Sequence, residues 1–233
     1  MVRYSWFVIA AVVGTVLAAA PDQAPAQARS VHPGINAPYR HPDFAGSVRM
    51  FESEGREVYD RRRDIVAALG LKPGMRVADV GAGTGLFVRL LSPAVGPQGR
   101  VYAVDIAPEF VRNIERLARQ ENLANVEVVL GGEREAKLAP GSVDLVFTSD
   151  TYHHFEYPQE MLASIHRALA PGGSLVVVDY QRIPGTSSAW ILDHVRAGKE
   201  AVIAEVEAAG FRLVEDRPLL RDNYFLRFRR LDG

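Results

Sequence analysis

The sequence predicts an α/β fold: an open, mostly parallel sheet wound with helices on both faces. Three observations carry that reading. From residue 57 onward, short Val/Leu-rich runs alternate with amphipathic stretches, the pattern of a parallel sheet whose strands are buried on both sides. The first run passes straight into a glycine-rich turn, "VADVGAGTG" at 77–85. The second, "RVYAVD", ends on a carboxylate, Asp105, at the strand end where an open sheet receives its ligands.

Taken in order, residues 29–56 combine scattered turn-formers with little periodicity and predict an irregular arm on the domain surface. From Glu57, Val58, Ile65, Val66 and Leu69 recur at helical spacing until Gly70 ends the run. "LKPGM" is a turn, Arg76–Val80 a buried strand and 86–91 a short helix. Arg100–Asp105 is the second strand, followed by a helix over 108–122 with proline in its first turn. Val126–Leu130 and Val143–Ser149 are the next two strands. A helix over 158–169 is closed by "PGG", and 174–179 is a fifth strand. A helix over 200–209 stops at Gly210, and Phe211–Arg217 and 223–229 form a closely connected last pair that predicts an antiparallel margin. No internal repeat and no second domain is evident.

Composition narrows the function. The 233 residues are 24% charged with a formal net charge of −1, which gives no footprint for non-specific nucleic-acid binding. "DRRR" (60–63) and "RFRR" (227–230) then read as solvated faces or strand edges. The absence of cysteine excludes disulfides, thiolate metal sites and cysteine nucleophiles. Residues 1–28 have a basic start at Arg3, an apolar run from Trp6 to Ala20 and a small-residue Ala-Gln-Ala end. This order predicts a secretory signal peptide cleaved near Ala28. The run is shorter than the roughly 20 residues that span a bilayer. The expected location is therefore outside the cytoplasm, in the periplasm, with membrane association if the signal stays uncleaved.

The glycine loop indicates a nucleoside-type ligand. Gly81, Gly83 and Gly85 let the backbone turn sharply and approach a ligand closely. A dinucleotide loop spaces its glycines G-x-G-x-x-G, whereas here the third comes one residue early and Asp79 stands two residues before the first. A carboxylate there is awkward for a pyrophosphate and suits an ammonium or sulfonium. Asp105 can accept hydrogen bonds from ribose hydroxyls; the other reading makes it a cap for the following helix.

"VADVGAGTG", "VYAVDIAPEFV", "GSVDLVFTSDTYHHFEYP" and "LAPGGSLVVVDY" together resemble, in their usual order, the motifs of the class I S-adenosylmethionine-dependent methyltransferases. The resemblance is strong over 57–180 and extends in layout over 57–230. It implies a Rossmann-like, doubly wound seven-stranded sheet, mostly parallel with an antiparallel last strand. It also implies S-adenosyl-L-methionine as cofactor, bordered by Asp79 and the loop Gly81, Ala82, Gly83, Thr84 and Gly85. Asp105 would hold the ribose and Ile106 would flank the adenine. Many relatives place an aspartate after the third strand to meet the adenine amino group. Gly132 stands there in this chain, so Glu133 is the candidate by a one-residue shift.

Methyl transfer from a sulfonium needs alignment and exclusion of water, with a general base only when the nucleophile starts protonated. After the fourth strand, "SDTYHHFEYP" offers Asp150 to the cofactor and His153 or His154 as that base; the same segment could simply shape the pocket. Asp150 and Asp179 with a histidine could bind a divalent cation as in catechol-type relatives, but Tyr180 stands where those usually carry asparagine, so no metal is expected. The long insertion 180–200 reads as a lid. Its His194 and Arg196 would either reach the pocket or cap a helix near Ala197.

The acceptor is a small molecule by elimination. Nucleic acid lacks a basic footprint, and "DTYHHF" differs from the Asn/Asp-Pro-Pro-aromatic segment of amino-group DNA methylases. Arsenite methylation in similar enzymes relies on cysteines absent here. Two other readings stay open at this stage. One is a non-catalytic periplasmic binder that kept the cofactor fold. The other is a nicotinamide dehydrogenase, which the glycine spacing and the lack of a Tyr-x-x-x-Lys dyad disfavour.

Overall fold

The computed structural model describes Met1 and residues 29–232; the candidate signal peptide lies outside the described residues. Seven strands form one sheet: β1 (Arg76–Val80), β2 (Arg100–Asp105), β3 (Val126–Leu130), β4 (Val143–Ser149), β5 (Leu169–Tyr180), β6 (Phe211–Arg217) and β7 (Asn223–Arg230). Their spatial order is β3-β2-β1-β4-β5-β7-β6. All neighbours among the first five strands run parallel, while β7 is antiparallel to both β5 and β6. The last pair thus makes the expected antiparallel margin. It does so with β7 inserted inside the sheet and β6 on the edge.

Both faces of the sheet are covered, and alternation along each strand explains how. On β1, Val77 packs with Val101, Leu145 and Val176 against Ile65, Leu91 and Ile114. The next residue, Ala78, points the other way and packs with Val146, Val177 and Leu226 against Leu162, Ile165 and Val206. The first face is closed by α3 (Arg62–Ala68), α4 (Val88–Val95) and α5 (Pro108–Gln120), the second by α6 (Pro158–Ala168) and α8 (Lys199–Ala208). Each aliphatic side chain buried this way contributes roughly 1.5–3 kcal/mol relative to exposure.

Three elements differ from the sequence reading. The arm is not irregular throughout: α1 (Phe44–Phe51) is a helix, and Ile35 and Asn36 ahead of it are buried. Phe44, Val48 and Phe51 sit at i, i+4 and i+7, a helical spacing obscured by the flanking prolines and by Gly46. The helix predicted from Glu57 breaks into α2 (Glu57–Asp60) and α3. In β5, pairing begins at Leu169 opposite Val143, and the "PGG" turn survives as an irregularity before regular pairing resumes at Ser174. The basic clusters are structural: Arg61 pairs with Asp64, and Arg227 with Glu215 and the Ala68 carbonyl. Among the described residues no helix is long and apolar enough to cross a membrane.

Candidate cofactor and acceptor site

Strand order reverses between β1 and β4, which opens a crevice beyond the carboxyl ends of the strands. A cavity of about 340 Å³ occupies that place. The glycine loop forms its floor. Gly81 and Ala82 both donate N–H bonds to the Val104 carbonyl, at 2.8 and 3.0 Å, which bends the chain over the end of β2. Gly81 has φ +83°, and a Cβ there would lie 2.2 Å from Thr151 Cγ2, so no other residue fits. Ala82, Gly83 and Thr84 line the cavity, whereas Gly85 faces α5 and closes the turn by donating to the Ala82 carbonyl.

The two carboxylates take different positions. Asp105 lines the cavity with Ile106. Its Oδ2 accepts the Gly83 N–H at 2.8 Å and its Oδ1 accepts the Ala107 N–H at 2.9 Å. It therefore ties the loop to the start of α5, which joins the two roles the sequence left open, and each oxygen keeps a lone pair for a ligand hydroxyl. Burial raises its pKa to about 6, against the lowering effect of those backbone donors. Asp79 is buried beneath the loop and off the cavity wall, and its Oδ2 has no hydrogen-bond partner. Burial first, and then the charge of Asp105, push it up to about 8.

Glu133 stands at the cavity rim, half-exposed, 3.9 Å from Arg40. Asp150 lines the cavity in a left-handed conformation, φ +47°. One of its oxygens is ion-paired with Arg56, and the other accepts a 2.6 Å bond from Asn223 Nδ2. Both oxygens are thus engaged by the protein itself, so Asp150 shapes the wall and has no oxygen without a protein partner. Burial raises its pKa despite the Arg56 charge.

On the far wall His153 and Asp179 form a buried pair. Asp179 Oδ1 lies 2.7 Å from His153 Nδ1, and its Oδ2 accepts the His153 backbone N–H at 3.0 Å. Burial lowers the His153 pKa, but the Asp179 charge and hydrogen bond outweigh it and the net shift is upward. Asp179 itself moves down, the His153 contacts overcoming burial. His154 lies beside His153, ring centroids 4.3 Å apart, with Tyr39 edge-on and its Nδ1 buried without a partner. Burial and then the neighbouring His153 and His194 lower its pKa to about 3. From the insertion, α7 (Ala189–His194) brings His194 into the cavity, stacked on Trp190 at 4.7 Å. Arg196 points away and forks onto Glu205 of α8 at 2.7 and 2.8 Å.

The structure thus brings Gly81, Ala82, Gly83, Thr84, Asp105, Ile106, Glu133, Asp150, His153 and His154 to one cavity, with Gly85 turned toward α5 and Asp79 buried off the cavity wall. Sequence reasoning missed the contribution of the arm: Asn36, Tyr39, Phe51 and Arg56 all line the cavity. It also missed Asp179 as the partner of His153, although the two sit at the ends of strands already read as neighbours.

Fold and site define an α/β domain with one cavity, walled by the glycine loop and Asp105 on one side and by histidines on the other. Residues 78–177 match the Methyltransferase domain family. The chain is 26% identical to the demethylmenaquinone methyltransferase of a Geobacillus species over 149 residues, 64% of this chain and 62% of that protein. It is 38% identical to the ubiquinone biosynthesis O-methyltransferase of Xanthomonas campestris over 125 residues, 53% of this chain and 50% of that protein. A crystal structure of a SAM-dependent methyltransferase from Aquifex aeolicus superposes with a TM-score of 0.72 at 26% identity, covering 81% of this chain and 98% of that one. Over the matched segment the chain is similar to the class I S-adenosylmethionine-dependent methyltransferases, and it shares their fold. It spans about half to three fifths of the length of these two curated relatives.

The residues fit the cofactor of that family, S-adenosyl-L-methionine. The Gly81 cradle admits no Cβ, Asp105 offers paired acceptors at the end of β2, and the unpartnered carboxylate of Asp79 favours a cation nearby.

Proposed function

We propose that the protein transfers a methyl group from S-adenosyl-L-methionine to a small aromatic acceptor that carries an oxygen nucleophile. The observation that carries this reading is one cavity with two unlike walls: the glycine loop with Asp105 on one side, and a wall of histidines and aromatic rings on the other. When bound, the cofactor supplies the electrophilic methyl. Gly81 to Thr84 and Asp105 would hold the nucleoside, Ile106 and Glu133 at the cavity wall and rim would meet its base, and Asp79, whose carboxyl a nearby cation would ionise, would favour the ligand's cationic groups.

Tyr39, Phe51, Phe110 and Trp190 cover the cavity with apolar surface, which excludes water and suits a flat acceptor. Asp179 holds His153 by its Nδ1, so that in the neutral ring Nε2 keeps its lone pair. That nitrogen can accept a hydrogen bond, and the proton, from an acceptor hydroxyl. The similarity to enzymes of quinone biosynthesis supports a phenolic acceptor. The signal-like start of the sequence supports export to the periplasm. The test is calorimetry of the full chain with S-adenosylhomocysteine, followed by a radiolabelled methyl-transfer screen over catechols and hydroquinones. Absence of binding at millimolar ligand would remove the reading.

A further inference from the structure

We infer that His153, His154 and His194 form a binding site for a divalent transition-metal ion, zinc in the first instance. Each offers one ring nitrogen, and the three nitrogens lie within 4.8 Å of one another. Zinc–nitrogen bonds of about 2.0–2.1 Å place tetrahedral ligand nitrogens about 3.3 Å apart. The widest pair must therefore approach by roughly 1.5 Å for all three nitrogens to reach one zinc ion. Neutral imidazoles are ligands of choice for zinc, copper, nickel and iron, and the chain has no thiol to compete.

The surroundings have the character of a second coordination shell. A ligating histidine commonly gives its other ring N–H to a carboxylate, which fixes the tautomer and raises the basicity of the donor nitrogen. Asp179 does this for His153, at 2.7 Å, and it is itself pinned by the backbone N–H groups of His153 and Tyr180. Tyr39 against His154, and Trp190 stacked on His194, fix the other two rings. His154 Nδ1 is buried without a partner. Such an orphaned acceptor beside two further imidazoles costs free energy that a cation would recover. The pair Asp150 and Asp179, which the sequence suggested as ligands, is not needed: the first is held by Arg56 and the second by His153.

Three protein ligands leave a fourth position, and all three histidines line the proposed acceptor cavity. A metal there would take water or the acceptor oxygen and ease its loss of a proton. The His153 Nε2 lone pair cannot serve a metal and an acceptor proton at once, so the loaded protein would hand that task to the metal.

The test uses the full chain, stripped with chelator and titrated with Co²⁺ without cofactor or acceptor. One equivalent is expected, with visible bands of tetrahedral intensity that Zn²⁺ displaces. His194→Ala should abolish the bands, Asp179→Asn should weaken binding about 10–100-fold, and His41→Ala on the exposed arm should leave it unchanged. Circular dichroism and S-adenosylhomocysteine binding report whether each variant is folded. X-ray absorption of the zinc-loaded wild type should count three imidazoles, and it does not depend on any variant. No bands in excess Co²⁺, bands unaffected by His194→Ala, or fewer than three imidazoles would each overturn the site. The titration contains no methyl donor, so failure here and failure of methyl transfer are separately visible.

Discussion

Asp79→Asn tests the electrostatics of the cofactor floor most directly. Asp79 is buried and its Oδ2 is unpartnered, and burial followed by the charge of Asp105 moves it from 3.8 to about 8. A carboxyl raised in the folded state favours folding fully below its unfolded pKa and loses that contribution as pH rises toward the folded value. The window here runs from about pH 4 to about pH 8. The slope is about 1.4 kcal/mol per pH unit for one proton, so the rise from 3.8 to about 8 amounts to about 5–6 kcal/mol at most. Water entry and relaxation reduce this to a few kcal/mol. Asparagine has nearly the same shape and no charge. Urea unfolding of the ligand-free full chain at pH 5, 6, 7 and 8 gives the difference between wild type and variant, in which the other titrating groups cancel. The variant should gain about 2–4 kcal/mol on the wild type between pH 5 and 8. In calorimetry, S-adenosylhomocysteine should bind the variant at least tenfold more weakly, and the proton that the wild type releases at pH 7 should be absent. Parallel stability profiles across that range would refute the reasoning.

Three further substitutions test other parts of the site. Gly81→Ala places a Cβ 2.2 Å from Thr151 Cγ2 at φ +83°; the left-handed backbone and the overpacking together should cost about 2–5 kcal/mol in urea unfolding, and Thr151→Gly should recover part of it. Asp105→Asn sets an amide donor against the Gly83 N–H that now donates to Oδ2, so S-adenosylhomocysteine affinity should fall about 10–100-fold by calorimetry. Arg56→Ala strips the buried Asp150 of its cation and should lower stability by about 3–5 kcal/mol, with Asp150→Asn in the same chain restoring much of it.

The strands that build the crevice were legible because each is a continuous apolar run bounded by turn residues. β1, β2, β3 and β4 begin and end where the sequence placed them. Asp105 was legible for the same reason, since a carboxylate at the end of a buried strand has few other uses. The arm was not. Its buried Ile35 and its cavity-lining Tyr39 and Phe51 are spread among prolines, and the cavity that the last two line exists only after the sheet has formed. The partners of Asp150 were not legible, because Arg56 and Asn223 lie 94 and 73 residues away. The histidine cluster closes a shorter gap: His153 and His154 were singled out as a pair, but His194 joins them only because α7 folds back beside them.

The position of β7 links the site to the order in which the chain is made. Asn223, its first residue, pairs with Tyr180 across the sheet and donates to Asp150, while Glu57 at the start of α2 accepts the backbone N–H groups of Arg221, Asp222 and Asn223. A nascent chain that stops short of residue 223 has β5 without its neighbour, β6 with nothing to pair to, and Asp150 lacking one of its two partners. The acceptor wall is therefore completed only when nearly the whole polypeptide has emerged.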